Sequence, residues 1–172
     1  MPTADVVVIG GGVIGLSTAY HFARKRAGRI VLLEKGLLGD GSSSRAAGIT
    51  CGELSTPTTV RDDAAERLAE LVPALKNTEW KSEHVGLLGY SMDHEPIMGP
   101  VDRWPGLFVG ASFHSGGFSY NPVAGLLLAE CVVDGQTSID ISAFSPHRFQ
   151  DADIEAHLAK TFRQSDVEGR RH

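Results

Sequence analysis

The stretch Ala4–Phe22, ADVVVIGGGVIGLSTAYHF, decides the fold. Val6, Val7, Val8 and Ile9 make an uninterrupted β-branched run, the pattern of a strand buried on both faces of a parallel sheet. Gly10, Gly12 and Gly15 follow as GxGxxG, and from Val13 the apolar positions Val13, Leu16, Tyr20 and Ala23 keep helical spacing. A second buried strand is predicted over Arg29–Leu33, ending in Glu34, nineteen residues beyond Gly15. Strand, glycine turn, helix, strand and acid stand in the order of a βαβ nucleotide-binding unit.

Each part has a physical task. Gly10 permits the tight turn, Gly12 lets the backbone approach a pyrophosphate, and Gly15 lets the helix pack close to the strand. The free N–H groups at the helix start, Val13 and Ile14, and the positive end of the helix dipole face the phosphates. Glu34 can accept hydrogen bonds from both hydroxyls of an adenosine ribose while repelling a 2′-phosphate. It suits NAD and FAD equally. The next segment, KGLLGDGSSSRAAGI (Lys35–Ile49), favours FAD. Its hydroxyls, small residues and single guanidinium suit a pyrophosphate, a ribityl chain and a flavin ring better than they suit an immediate crossover helix. Lys35, Ser42, Ser43, Ser44, Arg45, Ala47 and Gly48 are the expected contacts; the competing reading is a flexible surface loop.

A second constellation lies in WPGLFVGASFHSGGFSYNPVAGLLLAECVVDG. Leu107–Ala111 reads as another buried strand. Asn121 and Pro122 read as cap and first position of an apolar helix over Val123–Val133, with Gly135 as its C-terminal stop. Between strand and helix, His114, Ser115, Gly116, Gly117, Phe118 and Ser119 form a glycine-rich turn. A helix N-terminus there would stabilise negative charge on the pyrimidine edge of a reduced flavin. For His114 a turn histidine bonded to a backbone carbonyl is preferred over a place near the ring.

Together with GxGxxG and Glu34, the motifs GSSSRAAGI, MDHEPIMGPVDRWPGLFVGASFHSGGFSYNPVAGLLLAE and DGQTSIDISAFSPHRF resemble the FAD-dependent D-amino-acid oxidase (DAO) superfamily. The likeness is to its sarcosine oxidase, dimethylglycine dehydrogenase and glycine oxidase branch, over roughly the first fifty and the last ninety residues. The resemblance implies oxidation of a C–N bond in a small amino acid or N-methyl amine. A hydride would pass from the substrate carbon to flavin N5, leaving an imine that hydrolyses. It also places His94 and Glu95 on a turn that passes near the flavin, where a structural role is an equal alternative. Arg45 stands where dimethylglycine dehydrogenases carry a histidine for covalent attachment, so non-covalent FAD is expected. Ser119 stands where monomeric sarcosine oxidases carry a lysine, which makes a dehydrogenase ancestor as suitable as an oxidase.

Members of that family are considerably longer, and the fold expected here is correspondingly reduced. The expectation is an α/β, Rossmann-like FAD-binding domain with a mainly parallel sheet flanked by helices. It would form a single domain over residues 1–172: βαβ and flavin loop over 1–50, linker, helix and remnant strand over 51–90, and C-terminal FAD segment over 91–172. In the middle part Thr59 and Asp62 resemble a capping box, and Val60, Ala64, Leu68, Leu71, Val72 and Leu75 form an apolar stripe that Pro73 interrupts. Glu79–Tyr90 is the expected remnant strand. It or a second subunit would cover the exposed sheet edge, by self-association or with a partner chain. The segment DADIEAHLAKTFRQ reads as a short amphipathic helix with Ile154, Leu158 and Phe162 on one face, packing on the domain.

The bulk properties set limits. With 172 residues, 42% of them hydrophobic, the chain can bury one core. The net charge of −5 and the lack of a basic face argue against a nucleic-acid partner. Cys51 and Cys131 are far apart and in no CxxC pattern, which fits a reducing compartment and excludes a cysteine zinc site. The seven histidines show no HxxxH or HExxH, so no metal is expected. Val6–Ile9 is too short for a signal or membrane span, and a soluble, cytoplasmic protein with no membrane partner is expected. No catalytic residue is assigned, because amine oxidation on a flavin asks little of the protein beyond orienting a neutral amine. Two rival readings stand beside the oxidoreductase: an FAD-binding module, scaffold or subunit without turnover, and a NAD-binding protein whose terminal motifs only pack.

Overall fold

The computed structural model describes residues 3–44, 57–77, 79, 89–114 and 116–163. The chain divides into two compact units, one of Met1–Ala46 with Val85–Ala152, the other of Ala47–His84 with Asp153–His172.

The first unit opens with strand β1 (Val6–Ile9), helix α1 (Val13–Arg24) and strand β2 (Ile30–Leu33). The strands pair in parallel, Val6 opposite Ile30 through to Ile9 opposite Leu33. Gly10 leaves β1 with φ +107°, a left-handed conformation that glycine alone adopts cheaply. A Cβ on Gly15 would overlap the carbonyl oxygen of Gly10, so helix and turn meet only because that position is bare. Helix α1 ends in a Schellman pair, Ala27 N–H donating to Phe22 O and Arg26 N–H to Ala23 O.

The packing face of α1 differs from its apolar stripe. Leu16 and Tyr20 are exposed, whereas Thr18 and Phe22 are buried and Ile14 touches the core. Ile14, Thr18 and Phe22 keep a spacing of four, and the small residues between them decide how closely neighbours approach. The strand reading is also corrected on one face: Val7 is 51% and Ile9 83% exposed, because no described element covers that side of β1.

Helix α2 (Pro57–Leu71), in the second unit, starts two residues before Thr59, with Pro57 at its first position, so Thr59 does not cap it. Pro73 ends the regular helix by opening a 3₁₀ turn, Pro73–Leu75, as its missing N–H requires.

Back in the first unit, strands β3 (Ile97–Pro100) and β4 (Phe108–Ala111) form an antiparallel pair, Ile97 opposite Ala111 and Pro100 opposite Phe108. Helix α3 (Gly117–Val133) begins with Gly116 as its cap, more than a turn before the expected Asn121–Pro122 start. Pro122 therefore lies inside the helix. It cannot donate to Phe118 O, and the Asn121 side-chain amide donates there instead. Gly135, with φ +71°, follows the Asp134 cap as the expected stop. The core of this unit gathers Met98, Phe113, Ala124, Leu127 and Leu128, with Ile14, Ile141 and Phe144 against it. Gly110 makes room for Leu128: a Cβ there would stand 2.6 Å from Leu128 Cδ1.

The 3₁₀ turns Ser142–Phe144 and Pro146–Phe149 complete the first unit. Helix α4 (Ile154–Arg163) belongs to the second and is capped by Asp153, whose Oδ1 accepts from Ala156 N–H at 2.8 Å. Ile154 and Leu158 are exposed on it. The expected Glu79–Tyr90 strand lies, apart from residues 79, 89 and 90, outside the described residues, as do Cys51 and the side chains of Val60, Ala64 and Phe162. Among the described residues no helix is long and apolar enough to cross a membrane.

Candidate nucleotide site

Helices α1 and α3 run side by side in the same direction. Ser17, four residues into α1, donates its hydroxyl to the carbonyl of Asn121, four residues into α3, at 2.7 Å. At the other end Lys25 Nζ meets Asp134 Oδ2 at 2.5 Å. Gly125 allows the approach, since a Cβ there would strike Ser17. Both N-termini thus lie within about one turn of the Ser17–Asn121 contact, at one end of the unit, with their dipoles aimed the same way.

The first of these N-termini carries the glycine turn. Gly12 caps α1, Val13 and Ile14 open it, and Gly10 N–H donates to Leu33 O at 2.8 Å, tying the turn to β2. Glu34 reaches across from the end of β2. Its Oε2 accepts from Gly11 N–H at 2.6 Å and its Oε1 from Gly36 N–H at 3.0 Å. These bonds hold the carboxyl below the usual carboxylate range, the Gly11 bond contributing most. Ser43 Oγ accepts from Val13 N–H at 2.9 Å. Gly11 is the residue the sequence reading missed; its signal is the middle glycine of the Gly10–Gly12 run, and its N–H is the one Glu34 takes.

Gly10, Gly12, Val13, Ile14, Gly15, Glu34 and Ser43 are therefore in one place. Lys35, Ser42 and Ser44 are exposed in the loop beyond it. Ser44 Oγ donates to Gly41 O at 3.2 Å. Arg45, Ala47, Gly48 and Ser115 lie outside the described residues.

The second N-terminus carries the other predicted set. Gly116 caps α3; Gly117, Phe118 and Ser119 form its first turn, with Phe118 exposed. His114 stands just before it at φ +53°, in a cluster with two further non-glycine residues of left-handed backbone, His94 at φ +65° and Ser112 at φ +57°. The Tyr90 ring meets His114 edge-on at 4.6 Å and His94 at 5.8 Å between centroids. His114 Nε2 is buried and carries no hydrogen bond. Strained backbone and an orphaned buried polar atom in one cluster are features of ligand-facing positions.

The turn before this cluster is held by a clamp that sequence reading did not find. Arg148 Nε donates to Asp93 Oδ2 at 2.6 Å and Nη2 to Oδ1 at 3.0 Å; its other bonds go to the carbonyls of Phe144, Ser145 and Glu95. Asp93 is held well below the usual carboxylate range, chiefly by Arg148. This is a structural device that fixes His94 and Glu95 in space.

The donor set fits a dinucleotide. Backbone N–H groups at a helix start are met by carboxylate and hydroxyl oxygens, the same atom types that phosphates and ribose present. A cavity of about 290 Å³ lies elsewhere, lined by Met98, Gly99, Cys131, Gln136 and Ser142 near the C-terminal end of α3, and takes no part in this geometry. Among the described residues no group of three metal-ligating side chains occurs.

Known proteins give the same direction. The family model described as FAD dependent oxidoreductase (DAO) matches residues 5–64 and 54–131. Glycine oxidase of Geobacillus kaustophilus (strain HTA426) is 34% identical over 79 residues, which are 46% of this chain and 21% of that protein. The 4-methylaminobutanoate oxidase (formaldehyde-forming) of Paenarthrobacter nicotinovorans is 44% identical over 59 residues, 34% of this chain and 7% of that one. Mitochondrial dimethylglycine dehydrogenase of Rattus norvegicus is 51% identical over 47 residues, 27% of this chain and 6% of that one. The chain thus spans about a fifth or less of the length of these relatives. No solved structure matches it.

Proposed function

Because the chain belongs to the FAD-dependent oxidoreductase (DAO) family, we propose that it is the cofactor-binding part of an amine or amino-acid oxidoreductase, holding FAD without a covalent bond. The observation that carries this reading is the Gly10–Gly15 turn with Glu34 and Ser43 on its N–H groups. Glu34 would hold the adenosine ribose. The N–H groups of Val13 and Ile14, together with Ser42, Ser43, Ser44 and Arg45, would hold the pyrophosphate, with Lys35, Ala47 and Gly48 beside them. His114, Ser115, Gly116, Gly117, Phe118 and Ser119 would face the flavin, since the parallel helices bring both N-termini to one end. Bound FAD supplies the chemistry, acceptance of a hydride from the carbon of a C–N bond.

Non-covalent binding is supported at Cys131. It lies fourteen residues beyond Gly117, about 21 Å along the helix, and burial pushes its thiol pKa up, so it is neither near nor nucleophilic. Truncation to the cofactor-binding part is supported by the two family segments, 5–64 and 54–131, which overlap with no stretch of chain between them, and by the small share of each relative that the chain covers.

The test is anaerobic mixing of the FAD-loaded chain with glycine, sarcosine, N,N-dimethylglycine and related small amines. Loss of the visible flavin absorbance, restored on admitting oxygen or a dye, is the expected result. A chain that holds FAD and is bleached by none of them is a binding module, and the enzymatic half of the reading fails.

A further inference from the structure

We propose that the free protein closes its own nucleotide site, the segment Gly36–Ser44 acting as a latch that lifts before a dinucleotide can seat. This rests on the reading of the Gly10–Gly15 turn as an FAD site. The two side chains suited to ribose and pyrophosphate are turned onto the protein's own backbone: Glu34 on Gly11 N–H at 2.6 Å, Ser43 on Val13 N–H at 2.9 Å. The main chain joins them. Gly39 N–H donates to Gly11 O at 2.8 Å, and Ser44 N–H donates to Gly39 O at 2.9 Å, folding the segment against the turn. Leu38 lies over Gly11, since a Cβ there would stand 2.6 Å from Leu38 Cδ2. Gly11 is buried beneath it, although a glycine turn serves a phosphate only by presenting bare backbone.

One N–H cannot serve a phosphate oxygen and Ser43 Oγ at full strength together. Ser43 must therefore release Val13 before a phosphate takes its place. The hydroxyl is suited to this, because it accepts in the closed form and can donate to a phosphate once it rotates. Gly39, at φ +76°, sits at the middle of the segment, where a glycine tolerates the backbone change of opening. Loading then has two steps, opening and capture, and the apparent affinity is lowered by the closed fraction.

Stopped-flow mixing of FAD with the full chain, in the wild type, Leu38→Ala and Ser43→Ala, tests this alongside amide hydrogen exchange of the free proteins. Leu38 is exposed and has no assigned cofactor contact, so its removal loosens the latch alone. In the wild type the observed rate is expected to level off at high FAD. Each variant should raise that plateau about fivefold, the effect of one lost hydrogen bond or contact of that size, and should speed exchange at the Gly11 and Val13 amides. A wild-type rate that stays linear in FAD and is matched by Leu38→Ala overturns the latch and leaves the FAD site standing. No FAD uptake by any of the three proteins overturns the FAD site itself, and the latch with it.

Discussion

Gly15 and Glu34 show how far single residues could be read. The glycine's reason, no room for a Cβ beside Gly10 O, follows from the fingerprint spacing alone. That Glu34 would end β2 was legible too, but its partner Gly11 was not, since a backbone N–H carries no signature in sequence. Arg148 was equally silent, because its partner Asp93 lies fifty-five residues away. Its pair sets a pH dependence. Asp93 is depressed in the folded state, so its stabilising effect is present above its ordinary pKa, near 4, and is lost as pH falls through the folded value. Asp93→Asn should lower stability at neutral pH by about 1 kcal/mol, a figure discounted for the exposure of Asp93. In urea unfolding, the gap between the two proteins should narrow on acidification from about pH 7 to about pH 3. A gap that stays constant would show that the pair contributes nothing through charge.

Strands and helices were legible where local pattern and packing agree. β1 was placed as read, and β2 and β4 each to within one residue, because a short apolar run bounded by polar or turn residues leaves little choice. The start of α3 was misplaced for a physical reason. Asn-Pro imitates a cap and first turn, yet here the Asn121 amide replaces the donor that Pro122 lacks and the helix runs through. A double-mutant cycle measures that replacement. Asn121→Ala should cost about 1 kcal/mol in the wild type, where it strands the Phe118 carbonyl, and much less beside Pro122→Ala, whose N–H serves that carbonyl. Equal costs in both backgrounds would mean the amide serves no such purpose. The stripe on α1 misled because Ser17 and Gly125 pack by being small, which a hydropathy pattern scores as nothing.

Over the whole chain, the described residues bury few large apolar side chains, while Val7, Ile9 and Leu33 of the parallel pair stand exposed. A strand sequence fit for two buried faces with one face open agrees with a chain that spans about a fifth or less of its relatives. The helix N-termini of α1 and α3 lie side by side and are aimed one way, an arrangement that favours negative charge. The direct test is the visible spectrum of the purified chain after incubation with FAD and desalting, with identification of what heat releases. The prediction is flavin absorbance with about one FAD retained per chain and released unmodified, as non-covalent holding by one site requires. A colourless protein that shows no uptake in titration would contradict it, and the glycine turn, Glu34 and Ser43 would then be a fold retained without its ligand.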